Sequence, residues 1–165
     1  MYNRPMKSLG ISVHVVADYL CWQFIKNEEN ISVAKLHKLL YFTQAICLSS
    51  YGKAIFDDEI LAWSHGPTIK AIEDRFKDLV KTLPIELEHL DIEKAKELPK
   101  HIRTHIIDIL NNYGEFTLIK LEEYIQERET PYIEARKGAG SIERTNDVIT
   151  KESMAKFSQR TNIIG

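Results

Sequence analysis

Trp63-Ser64-His65-Gly66-Pro67 is a dense run of aromatic, basic and conformationally special residues. If Pro67 opens a helix, the free N–H groups and partial positive charge at its start can hold a carboxylate or phosphate, and an exposed Trp63 or His65 can anchor a partner. The plainer alternative is an elbow in which Gly66 permits an awkward backbone and Trp63 fills the core. Lys35 and Lys38 lie one helical turn apart beside Tyr41, either as a solvated helix edge or as contacts for an acidic partner or phosphate. From Glu86 to Glu97, Glu86, Glu88, Asp91, Glu93 and Glu97 outnumber Lys94 and Lys96, which ordinarily marks a solvated face.

Signals for catalysis or metal binding are weak. His101 and His105 have the four-residue spacing of two metal ligands, but no glutamate completes a His-Glu-x-x-His frame and no cysteine stands nearby. Lys137-Gly138-Ala139-Gly140-Ser141 has its lysine ahead of the glycines and no strand leading in, so it reads as a turn rather than a phosphate loop. Cys21 and Cys47 fall in apolar helical stretches as small buried thiols, and no Gly-x-Ser-x-Gly elbow occurs. The expectation is a protein without catalytic residues, metal or cofactor.

Composition narrows the partners. At 165 residues the chain can bury roughly 70% of its unfolded surface, enough for one domain over 1–165 without disulfides. Hydrophobic residues make up 44% and charged residues 28%, far from the composition of a disordered chain. A net charge of −2 gives no global attraction to nucleic acid or anionic membranes. No apolar run reaches the length of a membrane span and no secretion signal is evident, so a reduced, cytoplasmic home is expected.

Spacing and punctuation then place these residues on elements. Ser12 caps a helix with Val13, Val16, Ala17, Leu20 and Phe24 on one face, ending near 27–30; Ser32 caps a second, with Leu36, Leu39, Leu40, Thr43, Ile46 and Cys47 running up to Tyr51-Gly52. Apolar on more than one side, the second is the expected central helix. A hairpin of Ala54–Phe56 with Glu59–Trp63 follows, then a helix from Pro67 with Ile69, Ile72, Phe76, Leu79 and Val80 facing inward. The charged connection from Leu83 to Leu98 carries Ile85, Leu87, Leu90 and Ile92 and reads as a packed excursion. Pro99 starts a helix that Gly114 stops in a left-handed conformation. Thr117 caps another, Thr130-Pro131 restarts a short one, and a last helix from Thr150 carries Met154 and Phe157. The expected fold is mainly α, a single compact domain of about six or seven helices with one small β-hairpin.

Lys35, Leu36, Lys38, Leu39, Leu40, Tyr41, Phe42 and Gln44, then Tyr51-Gly52, Phe56-Asp57, Ala62-Trp63 and Gly66-Pro67, stand in an order that resembles the Panacea domain of bacterial and prophage antitoxins. Leu121, Thr130-Pro131-Tyr132 and the closing Ile149, Glu152 and Phe157 extend the resemblance over about 13–157. Tyr132 stands where the family usually has tryptophan, His37 where glutamine is common, and Thr68-Ile69 replaces a valine pair. The resemblance implies an antitoxin that neutralises a toxin encoded by an adjacent gene by direct, stoichiometric protein–protein binding, with no enzymatic activity. It directs attention to Lys35, Lys38, Tyr41, Trp63, His65, Gly66, Pro67 and Tyr132 as partner-binding residues. It also gives the acidic 86–97 run a second reading, as a cover for a basic toxin site.

Two alternatives come from other classes. An adaptor delivering a bound protein to a protease fits the same lack of reactive groups and mobile termini at Met1–Gly10 and 161–165. A nucleic-acid-binding regulator draws on the modest excess of Lys and Arg after Pro131, with no room for a separate helix-turn-helix domain.

Overall fold

A computed structural model of the chain describes residues 6–127, 129–140 and 142–160, with side chains through 157. The described residues form β1 (Lys7–Ser8), α1 (Val13–Lys26), α2 (Val33–Tyr51), β2 (Lys53–Ala54), β3 (Ile60–Trp63), β4 (Gly66–Ile69) and α3 (Lys70–Arg75). A 3-10 turn at Leu87–His89 precedes α4 (Ile92–Ala95), α5 (Lys100–Tyr113), α6 (Leu118–Ile125), α7 (Pro131–Ala135), β5 (Val148–Ile149) and α8 (Lys151–Arg160). The fold is mainly α with two small sheets, and the eight α-helices among the described residues exceed the six or seven expected.

The caps read from sequence are made. Ser12 accepts from the His14 N–H, Ser32 from Lys35, Thr117 from Lys120 and Thr130 from Ile133, each satisfying a donor that helix geometry leaves free. α2 is the central helix: every residue from Leu36 to Leu48 is buried, and α1, α5, α6, α8 and β4 pack around it. Gly52 ends it in a left-handed conformation, φ 68°.

Such a helix must bury polar side chains, and Thr43 and Gln44 satisfy theirs on the backbone. Thr43 donates back to the Leu39 carbonyl at 2.7 Å, while the Thr43 carbonyl lies 2.9 Å from His105 Nε2. Gln44 accepts from the Ile55 N–H and donates to the Phe56 carbonyl, both at 2.8 Å. That amide explains why the expected hairpin of Ala54–Phe56 with Glu59–Trp63 does not form. A side chain satisfies the backbone at 55–56, and Lys53–Ala54 pairs with Lys7–Ser8 in parallel instead.

The actual hairpin is β3 with β4, Ile60 opposite Ile69 and Trp63 opposite Gly66, and β5 adds to the other edge of β3. Pro67 therefore lies in a strand and does not open a helix; as an edge strand, β4 tolerates the missing N–H. α3 begins only at Lys70, and Val80, expected on its buried face, is 60% exposed. Pro99 is the residue before α5 rather than its first, and Gly114 ends α5 right-handed at φ −62° rather than left-handed. Residues 6–10 are tied down as β1 and by the Leu9 N–H on the Ala54 carbonyl, contrary to a loose N-terminus there; 1–5 and 161–165 lie outside the described residues. The 83–98 excursion packs through Ile85 and Leu98, but Leu87 points outward.

Among the described residues no helix is long and apolar enough to cross a membrane.

Candidate functional site

Opposing Trp63 and Gly66 leaves Ser64-His65 as a two-residue β-turn, and neighbouring elements strap it down. From α2, the Lys38 ammonium donates to the His65 carbonyl at 3.3 Å and lies 3.8 Å from the Glu122 carboxylate of α6. From α7, the Tyr132 hydroxyl donates to the Trp63 carbonyl at 2.7 Å and lies 3.3 Å from that of Ser64. One turn further, Arg136 donates to the Ala62 carbonyl at 2.7 Å and, with its other nitrogen, to the carbonyls of Gly140 and Glu143. Thr145 donates to Ala62 as well, at 3.1 Å. Gly66 has φ 131°, a backbone conformation that demands glycine, and a Cβ there would stand 3.0 Å from Lys38 Nζ, which would have to shift.

Trp63 is 5% exposed, its indole N–H on Asn146 at 3.3 Å and the Arg144 guanidinium stacked 4.1 Å from its ring centre. His65 is exposed and edge-on to Trp63. Partial burial and the cations Lys81, Lys38 and Arg144 hold its pKa below the usual histidine value, with Glu73 opposing. Of these cations Lys38 is buried against Glu122 and Lys81 is paired with Glu73, which leaves Arg144 as the exposed positive charge beside the turn.

A buried relay supports this face from below. His37 Nδ1 accepts from the Ile69 N–H at 3.2 Å, so its Nε2 carries the proton and donates to Glu73 at 3.1 Å. Burial lowers the His37 pKa despite Glu73, and the ring stays neutral. The His37 hydrogen bond and Lys81, which also bonds Glu73, together outweigh burial and pull the Glu73 pKa to about 2.

Seven of the eight residues singled out in sequence meet here: Lys38, Tyr41, Trp63, His65, Gly66, Pro67 and Tyr132. Lys35 does not. It lies over the Phe24 ring at 5.1 Å and donates to the Gly114 carbonyl at 2.7 Å, turned toward α1 and α5. Of the seven only His65 is exposed. Lys38, 4% exposed, is neither a solvated edge nor a surface contact but a strap, its pKa lowered by burial with Glu122 opposing. The reading of Gly66-Pro67 as the start of an anion-binding helix fails because these residues are strand.

Tyr41 is fully buried and its hydroxyl finds no partner among the described residues; burial pushes its pKa above the usual tyrosine range, with the Tyr132 backbone opposing. Arg136, Arg144, Thr145 and Lys81 belong to the site and were not singled out in sequence. Arg136 is four residues after Tyr132 on one helical face, a spacing that could have flagged it. Arg144 and Thr145 sit in irregular chain and have no periodicity to betray them.

His105 is committed to Thr43, and among the described residues no group of three His, Cys, Asp or Glu side chains is placed to hold a metal ion. The Gly138–Gly140 stretch is a turn held by Arg136 and Glu143; Ser141 lies outside the described residues.

The family profile described as "Antitoxin SocA-like, Panacea domain" matches residues 36–132, more than half of the chain and the part that contains Lys38, the β3–β4 hairpin and Tyr132. Comparison with curated proteins and with solved structures gave no match.

Proposed function

The chain belongs to the SocA-like Panacea-domain antitoxin family, and from that premise we propose that it silences a toxin encoded by an adjacent gene through stoichiometric binding in the cytoplasm, without catalysis. Family membership carries the reading. The geometry supports a contact centred on the β3–β4 turn, where Arg144 presents positive charge beside the exposed His65 ring, on a backbone fixed in advance by Lys38, Tyr132 and Arg136. A fixed turn loses little conformational freedom on binding, and an arginine stacked on a tryptophan is a favoured interface anchor. The fitting partner surface is acidic, and charge pairs at its rim would set specificity and speed association. Nanomolar binding corresponds to about −12 kcal/mol, sufficient to hold a toxin silent.

Co-expression with the neighbouring gene tests this. The expected result is relief of toxicity by the intact protein, co-purification of the pair, and loss of both when His65→Glu and Arg144→Glu are combined at unchanged thermal stability. A neighbouring gene that is harmless, or toxicity that persists beside the intact protein, overturns the antitoxin reading. Retained protection by the double variant overturns only the choice of face. The adaptor alternative is separated by pulse-chase, since an adaptor shortens the toxin's half-life and a sequestering antitoxin leaves it unchanged.

A further inference from the structure

Away from the turn, the C-terminal end of α2 borders a groove of 370 Å³ floored by Leu9, Cys47 and Ile102. Its lip is Tyr51, 67% exposed, with Leu9 38% exposed beside it. The rim is basic. Lys7 and Lys53 are opposite one another on β1 and β2, Lys100 and His101 open α5, and among the described residues Lys7, Lys53 and Lys100 make no ion pair. Asp108 is the one carboxylate lining the adjoining hollow.

A matching projection stands at the other end of the same helix. The chain at 80–85 is fastened to the start of α2, with the Ala34 N–H on the Lys81 carbonyl, the Ile85 N–H on Ile31, and Ser32 paired with Pro84. Just beyond it, the 3-10 turn presents Leu87, 51% exposed, between the exposed carboxylates of Glu86 and Glu88. Leu83, 57% exposed, lies alongside. Nineteen residues of α-helix span about 28 Å, so the projection cannot reach the groove of its own chain.

We infer that a second copy of this chain docks its Glu86-Leu87-Glu88 turn into the Leu9–Tyr51 groove, the leucine entering the apolar floor and the carboxylates meeting Lys53 and Lys100. In this arrangement the contact is head-to-tail, each copy giving its projection to one neighbour and its groove to another, so that it repeats into chains instead of closing as a reciprocal dimer. So small a contact is weak, and its charge pairs make it sensitive to salt.

Sedimentation velocity over a concentration series tests it directly. At low ionic strength the mass should climb past that of a dimer as concentration rises, and salt should reverse the climb. Leu87→Glu and Tyr51→Glu, both at exposed positions, should each weaken assembly about tenfold or more, the scale of burying one leucine side chain. Mixed together, the two variants should form dimers and stop there, because one keeps an intact groove and the other an intact projection. A protein that stays monomeric at low ionic strength, variants that assemble like the wild type, or a mixture with no dimer would each overturn the proposal. Thermal melts of both variants confirm that they are folded.

Discussion

The β3–β4 turn and the Leu9–Tyr51 groove both rest on α2, yet they spend their side chains in opposite ways. At the turn, the carbonyls of Ala62, Trp63 and His65 are each claimed by a side chain from elsewhere in the fold, and what faces solvent is little more than His65 and Arg144. At the groove, a tyrosine and a leucine stand exposed and three lysines make no ion pair among the described residues. The residues that look most chemical in the sequence are thus largely occupied in holding the fold. Ordinary-looking ones, Leu9, Tyr51 and Lys7, are the ones left open.

If that contrast is right, the turn tolerates little. Gly66→Ala should cost the most, about 3 kcal/mol, because it combines a backbone conformation that L-residues avoid with a methyl group pressed on Lys38 Nζ. Chemical denaturation measures it, and a double variant sharpens it. With Lys38→Met added, the steric part should be relieved and the backbone part remain, a coupling of about 1 kcal/mol between the two sites. A loss below about 1 kcal/mol for Gly66→Ala would mean that the turn is not held as described.

Acid should loosen the same region next. Glu73 has a folded pKa of about 2 against 4.5 in its ordinary state, so its contribution is present above about pH 4.5 and is lost as pH falls toward 2. His37 acts in the same direction from a higher starting point. Its folded pKa is lowered from 6.5, so the unfolded chain takes up its proton first and stability drops as pH falls below 6.5. Denaturation midpoints followed from pH 7 to 3 should decline, and Glu73→Gln should flatten the lower part of that decline.

Tyr132→Phe is smaller, about 1–2 kcal/mol, the cost of leaving the Trp63 carbonyl buried without its donor. A tyrosine hydroxyl here serves a carbonyl of the turn, and Tyr132→Trp should lose that bond while forcing a larger ring into a fully buried position.

How much of this could be read from the chain depends on whether the cause is local. Ser12, Ser32, Thr117 and Thr130 cap helices because a hydroxyl reaches an N–H two or three residues on, and that is written in adjacent residues. Gly66-Pro67 is ambiguous in sequence because a proline that suits a helix start suits an edge strand equally well, and the choice between them is made by Trp63 and Ala62 across the hairpin. The strand expected at Ala54–Phe56 failed for a similar reason, since Gln44, eleven residues earlier, supplies the hydrogen bonds a partner strand would have supplied. Lys38 is the plainest case. Helical spacing places it beside the apolar stripe, but only the turn folded over it, from twenty-seven residues away, removes it from water.

The smallest expected effect decides whether the groove is as free as it looks. Tyr51→Ser removes an exposed side chain that supports no hydrogen bond of the fold, so it should change stability by no more than about 0.5 kcal/mol, in contrast to Gly66→Ala and Tyr132→Phe at the turn. Tyr51 does meet His105 edge-on at 6.2 Å, a contact worth little at an exposed position. If Tyr51→Ser instead cost as much as Tyr132→Phe, the tyrosine would be a support for His105 and the end of α2. The groove would then be part of the packing, and the contrast between a strapped turn and an open face would collapse to a difference in exposure alone. Near-neutral stability together with loss of self-assembly would place the tyrosine on the other side, as surface kept apolar for something other than folding.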